Sequence, residues 1–288
     1  MPDNNYNYDS NYIMSSDKIK ADRPDAPLTR MKPDFKEEIK QCYNIVKDEI
    51  DELFSTVKKE ERLEKIKDLN KSIFSSDTDI KLKADIEAEY LIKSILTKES
   101  SFPILAEESR KPEGALAETF WVVDPLDGTA NYSRNIPLCC VSIALMHKMQ
   151  PVIGVVYDFN NNNLYEGSIG KEAKLNGNII EVSEVKTAKE GILVTGLPNN
   201  TDYSDSALLK MVKDFQEWRK VRMIGSAAIA SCYIASAKAD VYKEFGTYLW
   251  DVAAGAAIVN AAGGKAEITN YRDNYQVDVH FSNSKIID

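Results

Sequence analysis

WVVDPLDGTANY, residues 121–132, ends an apolar run in two aspartates three positions apart, Asp124 and Asp127. Pro125 and Leu126 lie between them, and Gly128 and Thr129 come directly behind. The Trp and Val residues read as a buried strand. Two carboxylates at the mouth of such a strand are opposed by desolvation and by mutual repulsion unless something positive sits between them. Asp, Pro and Gly all favour turns, so a strand-ending turn is the simplest reading of the hexapeptide alone. In the functional reading Pro125 stiffens the bend so that both carboxylates face one point. The N–H groups of Gly128 and Thr129 are then offered to an anion at a helix N-terminus. Oxygen ligands with no soft donor beside them select a hard cation, most naturally Mg²⁺.

Outward from this stretch the chain has a β-like rhythm. FPILAEE, FWVVDPL, CCVSIALM, PVIGVVYD and NLYEGSI are short strand signals, and NNNN at 160–163 and LNGN at 175–178 are turns between antiparallel strands. Upstream, a helix is expected over about 85–97 with Ile86, Tyr90, Ile92 and Leu96 on its buried face. A Lys- and Glu-rich helix is expected after Pro33, its apolar stripe formed by Phe35, Ile39, Tyr43, Ile45, Val46 and Ile50. Beyond residue 187 strands and helices alternate: GILVTG, a helix near 204–217, VRMI, a helix at 226–237, ADVYKEF, WDVAAGAAIVNAAGG and KAEIT. The 226–237 segment is small or apolar on nearly every side and is expected between layers. Gly263 and Gly264 stop the helix before them. The fold class is α/β in the sense of a layered α+β sandwich with alternating helix and sheet layers. Residues 1–32 are expected to form a disordered extension, 33–186 an N-terminal α+β subdomain and 187–288 a C-terminal α/β subdomain.

The 288 residues are 43% hydrophobic and 28% charged, ordinary values for a globular chain with a real core. The formal charge of −9 argues against nucleic-acid or anionic-membrane partners. It leaves room for an anionic small molecule bridged by a cation. Four cysteines without CxxC spacing and only two histidines make a Cys/His zinc site a poor fit. The cysteines read as reduced thiols, no apolar stretch has bilayer-crossing length, and the expected location is cytoplasmic.

Other carboxylates flank apolar runs. Glu107 and Glu108 end the run in LAEESR, where a solvated edge is the plain alternative, and on a strand only one of the two can face the aspartates. Asp251 in YLWDVAAG reads equally as a helix cap. Glu244 ends ADVYKEF, where simple exposure competes, and Asp85 stands at a helix start, again most simply a cap. It is their conjunction that points to a metal site.

These segments resemble the inositol monophosphatase family, within the lithium-sensitive, magnesium-dependent phosphatases. WVVDPLDGTANY is similar to one family signature, WDVAAGAAIVNAAGG at 250–264 to the other, and AEES at 106–109 and GSAA at 225–228 fall in the family's order. The resemblance runs from about Asp79 to the end, and implies a layered fold of the inositol monophosphatase and sugar phosphatase type. It also implies that Glu107, Asp124 and the Leu126 carbonyl hold one Mg²⁺ and that Asp124, Asp127 and Asp251 hold a second. A third, weaker ion would lie against Glu107. Thr129, oriented by Asp85, would position the attacking water, which Glu107 helps to activate. The Gly128 and Thr129 N–H groups would receive phosphate oxygens, while Asp127, Ala227, Glu244 and Asp251 would contact the substrate. Inhibition by Li⁺ and a homodimer are implied as well. Leu82 stands where the family commonly has threonine.

The implied reaction is hydrolysis of inositol monophosphate to inositol and phosphate. Fructose 1,6-bisphosphate, adenosine 3′,5′-bisphosphate and histidinol phosphate are alternatives within the same chemistry, and Glu244 in EFGTYLWD favours a polyol. A metal-free glycosidase using two carboxylates would leave Gly128 and Thr129 without a use. A non-catalytic scaffold would be expected to lose one of Glu107, Asp124, Asp127 or Asp251, and all four are present.

Overall fold

The computed structural model describes residues 72–75, 80–109, 116–198 and 201–286. The expected extension over 1–32 and the helix after Pro33 lie outside these residues. In chain order the elements are β1 (Ser72–Ser75), β2 (Ile80–Leu82), α1 (Lys83–Glu99), β3 (Ile104–Ala106), β4 (Thr119–Asp127), α2 (Thr129–Ser133), β5 (Cys140–His147), β6 (Gln150–Asp158), β7 (Asn163–Ser168), β8 (Lys174–Leu175) and β9 (Asn178–Ile179). Then follow β10 (Ile192–Thr195), α3 (Asp205–Glu217), β11 (Lys220–Met223), α4 (Ala227–Ala235), β12 (Val241–Tyr248), α5 (Leu249–Ala261), β13 (Lys265–Thr269) and β14 (Gln276–Ser282).

β3 to β9 form one sheet in sequence order, parallel only between β3 and β4. Its tight connections have the expected chemistry. Asn176 and Gly177 both have positive φ, 50° and 78°, as a two-residue type I′ hairpin requires. The second sheet has the order β11-β10-β12-β14-β13, with β10 parallel to both neighbours and β14 antiparallel to β12 and β13.

β4 is buried along its whole length, so its period-2 alternation serves two cores. Phe120 and Val122 join a cluster with Ala228, Cys232, Trp250, Ala254 and Phe281. Trp121 and Val123 face the other way, against Ile92, Leu96, Ile104 and Ile143. The layers are therefore α1, the first sheet, the α4/α5 pair, and the second sheet, whose far face packs Leu193, Val241, Trp218 and Phe215. That is the α+β sandwich expected from the sequence. α4 and α5 are apolar nearly all round and buried on nearly every residue, as helices between two sheets must be.

Small residues let these layers approach. A Cβ on Gly154 of β6 would lie 2.8 Å from the Ala254 carbonyl carbon and collide with its oxygen. Gly154→Ala is accordingly expected to cost about 3 kcal/mol by overpacking, read as a lowered urea midpoint at unchanged slope. An unchanged midpoint would contradict this packing.

Two expectations need correction. α1 buries Asp85, Glu89, Ile92 and Leu96, while Ile86 is 41% and Tyr90 77% exposed. The apolar pattern placed the stripe one residue off at its first turns, because the buried positions there are carboxylates. The strand β14 was not expected at all, yet it sits between β12 and β13. Asp278 and His280 interrupt the apolar run of QVDVHFS, and the aspartate is held by the Gly246 N–H and Arg272.

Candidate active site

On a regular strand, residues three apart face opposite sides. Asp124 pairs with Ser142 and Asp127 with Cys140, so three steps on β4 match two on β5. The extra residue is a β-bulge, which turns the second aspartate back to the side of the first. Pro125 sits in the bulge, where its missing N–H costs no ladder bond. The Leu126 N–H donates to Asp124 Oδ1 at 2.9 Å, fixing the bend from inside. Gly128 follows with φ 87°, a left-handed conformation that favours glycine, and an added Cβ there would meet the Leu138 carbonyl oxygen at 2.8 Å.

Asp127 is tied across the molecule. It accepts from Ser226 Oγ at 2.5 Å and from the Ala228 and Ala227 N–H groups at 2.8 and 3.3 Å, the first-turn donors of α4 that have no partner within the helix. Asn131 reinforces the same junction, its amide lying 2.8 Å from the Leu138 carbonyl and 2.9 Å from that of Ile224. The bulge of the first sheet and the GSAA turn thus form one unit.

The other predicted residues converge from separate elements. The Thr129 hydroxyl lies 3.0 Å from the Leu126 carbonyl and 3.4 Å from Asp85 Oδ1 of α1, and has one proton to give to either. Glu107 follows β3, its N–H donating to the Val123 carbonyl at 3.1 Å. Glu108 stands in the turn after β3, where its backbone N–H donates to Glu89 Oε2 at 2.7 Å. Asp251 does act at a helix start, but from inside the first turn of α5: it accepts from the Thr247 hydroxyl at 2.8 Å and the Tyr248 N–H at 3.0 Å. Glu244 is not simply exposed. Its carboxylate accepts from the Tyr242 hydroxyl at 2.9 Å and fills the space over Gly196. Ala227 is buried at the start of α4.

The electrostatics of the group are one-sided. Burial pushes Asp124 well above the usual carboxylate range, and the charges of Glu107, Asp127 and Asp251 push it further. Glu107 is raised by burial first and by Asp251 next. Asp251 rises to about 8 through burial and the Asp127 charge. Asp127 is raised by burial, with the Ser226, Ala228 and Ala227 donors opposing. Burial lifts Glu244 to about 7, against the Tyr242 hydroxyl.

Among the described residues no group of three or more His, Cys, Asp or Glu side chains stands arranged to hold a metal ion. The donor chemistry nevertheless fits a hard cation. Glu107 and Asp124 crowd each other, and the Glu107 charge raises Asp124 beyond what burial alone does. A divalent cation relieves the same crowding with all oxygens ionised. The Leu126 carbonyl adds a neutral oxygen beside them.

Sequence reasoning missed Ser226, Asn131 and Glu89. Ser226 and Asn131 lie inside quoted motifs, where Ser before a helix and Asn in a turn are general signals for capping and turn bonds. Glu89 was legible as the i+4 partner of Asp85 on one helix face.

A sandwich of alternating helix and sheet layers, with carboxylates gathered at strand ends and helix starts, is the architecture of the inositol and sugar phosphatases. Residues 34–285 match the inositol monophosphatase family, and the chain belongs to that family. It is 36% identical over 193 residues to Nus factor SuhB of Pasteurella multocida (strain Pm70), covering 66% of this chain and 72% of that protein. The solved inositol monophosphatase from Anabaena (Nostoc) sp. PCC 7120 superposes with a TM-score of 0.64 at 31% identity, over 70% of this chain and 82% of that one. An IMPase/NADP phosphatase complexed with NADP and Ca²⁺ shares the fold, with a TM-score of 0.71 at 19% identity over 86% of this chain and 92% of the other. No helix among the described residues is long and apolar enough to cross a membrane.

Proposed function

We propose that the chain is a Mg²⁺-dependent phosphomonoesterase that hydrolyses inositol monophosphate to inositol and phosphate. The observation carrying this is the set of buried carboxylates just after β3, in β4 and in α5, whose burial and neighbouring charges raise their pKa values. Glu107, Asp124, Asp127, Asp251 and the Leu126 carbonyl would hold two to three Mg²⁺ ions. When bound, they supply neutralisation of the ester's charge and a lowered pKa for water.

The chain's own groups do the rest. The Thr129 hydroxyl, within reach of Asp85, orients the attacking water and takes part in its proton traffic. The Gly128 and Thr129 N–H groups receive phosphate oxygens, which the left-handed Gly128 allows to approach closely. Asp127 is held rigid by the start of α4, so its orientation survives turnover. Glu244, Ala227, Asp127 and Asp251 face the alcohol. The acidic chain suits a small anionic ester brought in with cations better than nucleic acid or membrane. A cytoplasmic homodimer inhibited by Li⁺ completes the proposal, with subdomains dividing near residues 186 and 187.

The test is phosphate release at fixed Mg²⁺, with a chelator control, from inositol 1-phosphate, fructose 1,6-bisphosphate, adenosine 3′,5′-bisphosphate and histidinol phosphate. Preference for the inositol ester is expected; preference for another ester keeps the site and overturns the substrate. Release from none of them, with Mg²⁺ still bound, would favour a second reading, a non-catalytic partner protein, motivated by the Nus factor name of curated relatives.

Glu244→Gln is expected to raise KM for the inositol ester about 10-fold, the loss of one charge-assisted hydrogen bond, with kcat changed less than about threefold. Because Glu244 sits at about 7, it is ionised above that pH and protonated below. Wild-type KM should therefore worsen as pH falls through 7, and the variant should lose that dependence. Equal KM profiles for the two proteins would remove Glu244 from the substrate pocket.

A further inference from the structure

We propose that Glu89, four residues after Asp85 on α1, is the positioning residue that sets Glu107 for metal binding. It touches no substrate in this scheme and acts through the backbone. The inference rests on the reading of Glu107 as a metal ligand.

Glu89 is 6% exposed and Asp85 2%. Burying a carboxylate is costly unless donors compensate it. Asp85 faces Thr129. Glu89 instead opens its two oxygens to consecutive backbone donors: the Glu108 N–H to Oε2 at 2.7 Å and the Ser109 N–H to Oε1 at 3.1 Å. These bonds clamp the turn just after β3. Glu107 is thereby pinned on both sides, by its own N–H on the Val123 carbonyl at 3.1 Å and by the clamp one residue later. A turn left to itself has many conformations, and the Glu107 carboxylate would move with each. Ile92 and Leu96 anchor the C-terminal half of the same helix face in the core beside Ile104 and Val123. The helix therefore carries the clamp on a rigid base, as a metal ligand's supporting shell requires.

A merely structural role for Glu89 predicts lowered stability with unchanged metal affinity. The positioning role predicts weakened metal binding. Glu89→Gln keeps size but offers one oxygen where two N–H groups need acceptors. Mn²⁺ is the probe, titrated into the full chain and followed by electron paramagnetic resonance of the free ion, without substrate. Loss of an outer-shell partner costs about 10- to 100-fold in affinity. That loss is expected for one Mn²⁺ in Glu89→Gln. Asp240→Asn serves as the control for general destabilisation, since Asp240 holds a different turn through the Ile192 N–H at 2.7 Å and the Ser183 hydroxyl; its Mn²⁺ affinity should stay at wild type.

Should Glu89→Gln fail to fold, Ser109→Pro removes one of the two donors and leaves every carboxylate in place. It should weaken the same ion by a smaller factor. Wild-type Mn²⁺ affinity in folded Glu89→Gln, or in Ser109→Pro where only that variant folds, overturns the inference and leaves the metal site standing. Absence of Mn²⁺ binding by the wild-type chain overturns the metal-site reading itself.

Discussion

Asp124→Asn is expected to lower phosphate release by about 1,000-fold or more while the chain stays folded. Asp124 is the most central of the carboxylates, with Glu107, Asp127 and Asp251 all acting on it. In its proposed role as a ligand shared by two ions it could not lose its charge without weakening both, so the loss should exceed the 10- to 100-fold typical of supporting residues. The amide keeps the size of the side chain and an oxygen for the Leu126 N–H, so the bulge that Asp124 holds through that bond should persist. The metal-free variant should even melt higher than the metal-free wild type at pH 8, because the unfolded wild type gains by ionising an Asp124 that the fold holds well above the usual carboxylate range. Initial rates and thermal melts of both proteins check this together. Near-wild-type turnover in a folded variant would remove Asp124 from the chemistry.

The second large effect is on stability. Asp124, Glu107 and Asp251 have folded-state pKa values above those of the unfolded chain, with Asp251 at about 8. Between roughly pH 4 and 8 the folded state then binds more protons than the unfolded one, so its stability is greatest at the acid end and falls as pH rises. The chelated protein should melt about 5 °C or more lower at pH 8 than at pH 5, at ~2–4 °C per kcal/mol for a chain of this size. Mg²⁺ bound as proposed would favour the ionised carboxylates and should restore most of that difference, its benefit growing with pH. Thermal melts over this range, with chelator and with Mg²⁺, provide the test. A melting temperature of the chelated protein that rises toward pH 8 would contradict the buried-carboxylate picture.

Much of this was legible because the relevant signals are local. Turn chemistry placed the β6–β7 and β8–β9 connections, and a uniformly small, apolar sequence placed α4 between layers. The face of α1 was misread because apolar periodicity assumes an apolar core. Here the helix buries Asp85 and Glu89 for the site, and pattern reading puts Ile86 and Tyr90 in their place. β14 escaped for a related reason: Asp278 breaks its apolar run, and its partners Gly246 and Arg272 lie elsewhere in the chain.

The site divides in the same way. The bend at Asp124-Pro-Leu-Asp127 could be read from residue chemistry, since Pro stiffens it and Gly releases it. That the bend is a β-bulge depends on register against Ser142 and Cys140, which only the folded sheet defines. The bonds from Ser226 and Ala228 to Asp127 span about a hundred residues, so no spacing rule reaches them. Asp251 read as a cap, and it does bond the helix start, though from inside the first turn, where it accepts the Tyr248 N–H.

The measurement that bears most directly on the site is anomalous scattering from crystals grown with Mn²⁺ in place of Mg²⁺. The expected result is at least two peaks bounded by Glu107, Asp124, Asp127 and Asp251, with Asp124 shared between two of them. Peaks elsewhere, or none at a Mn²⁺ concentration that supports phosphate release, would contradict it.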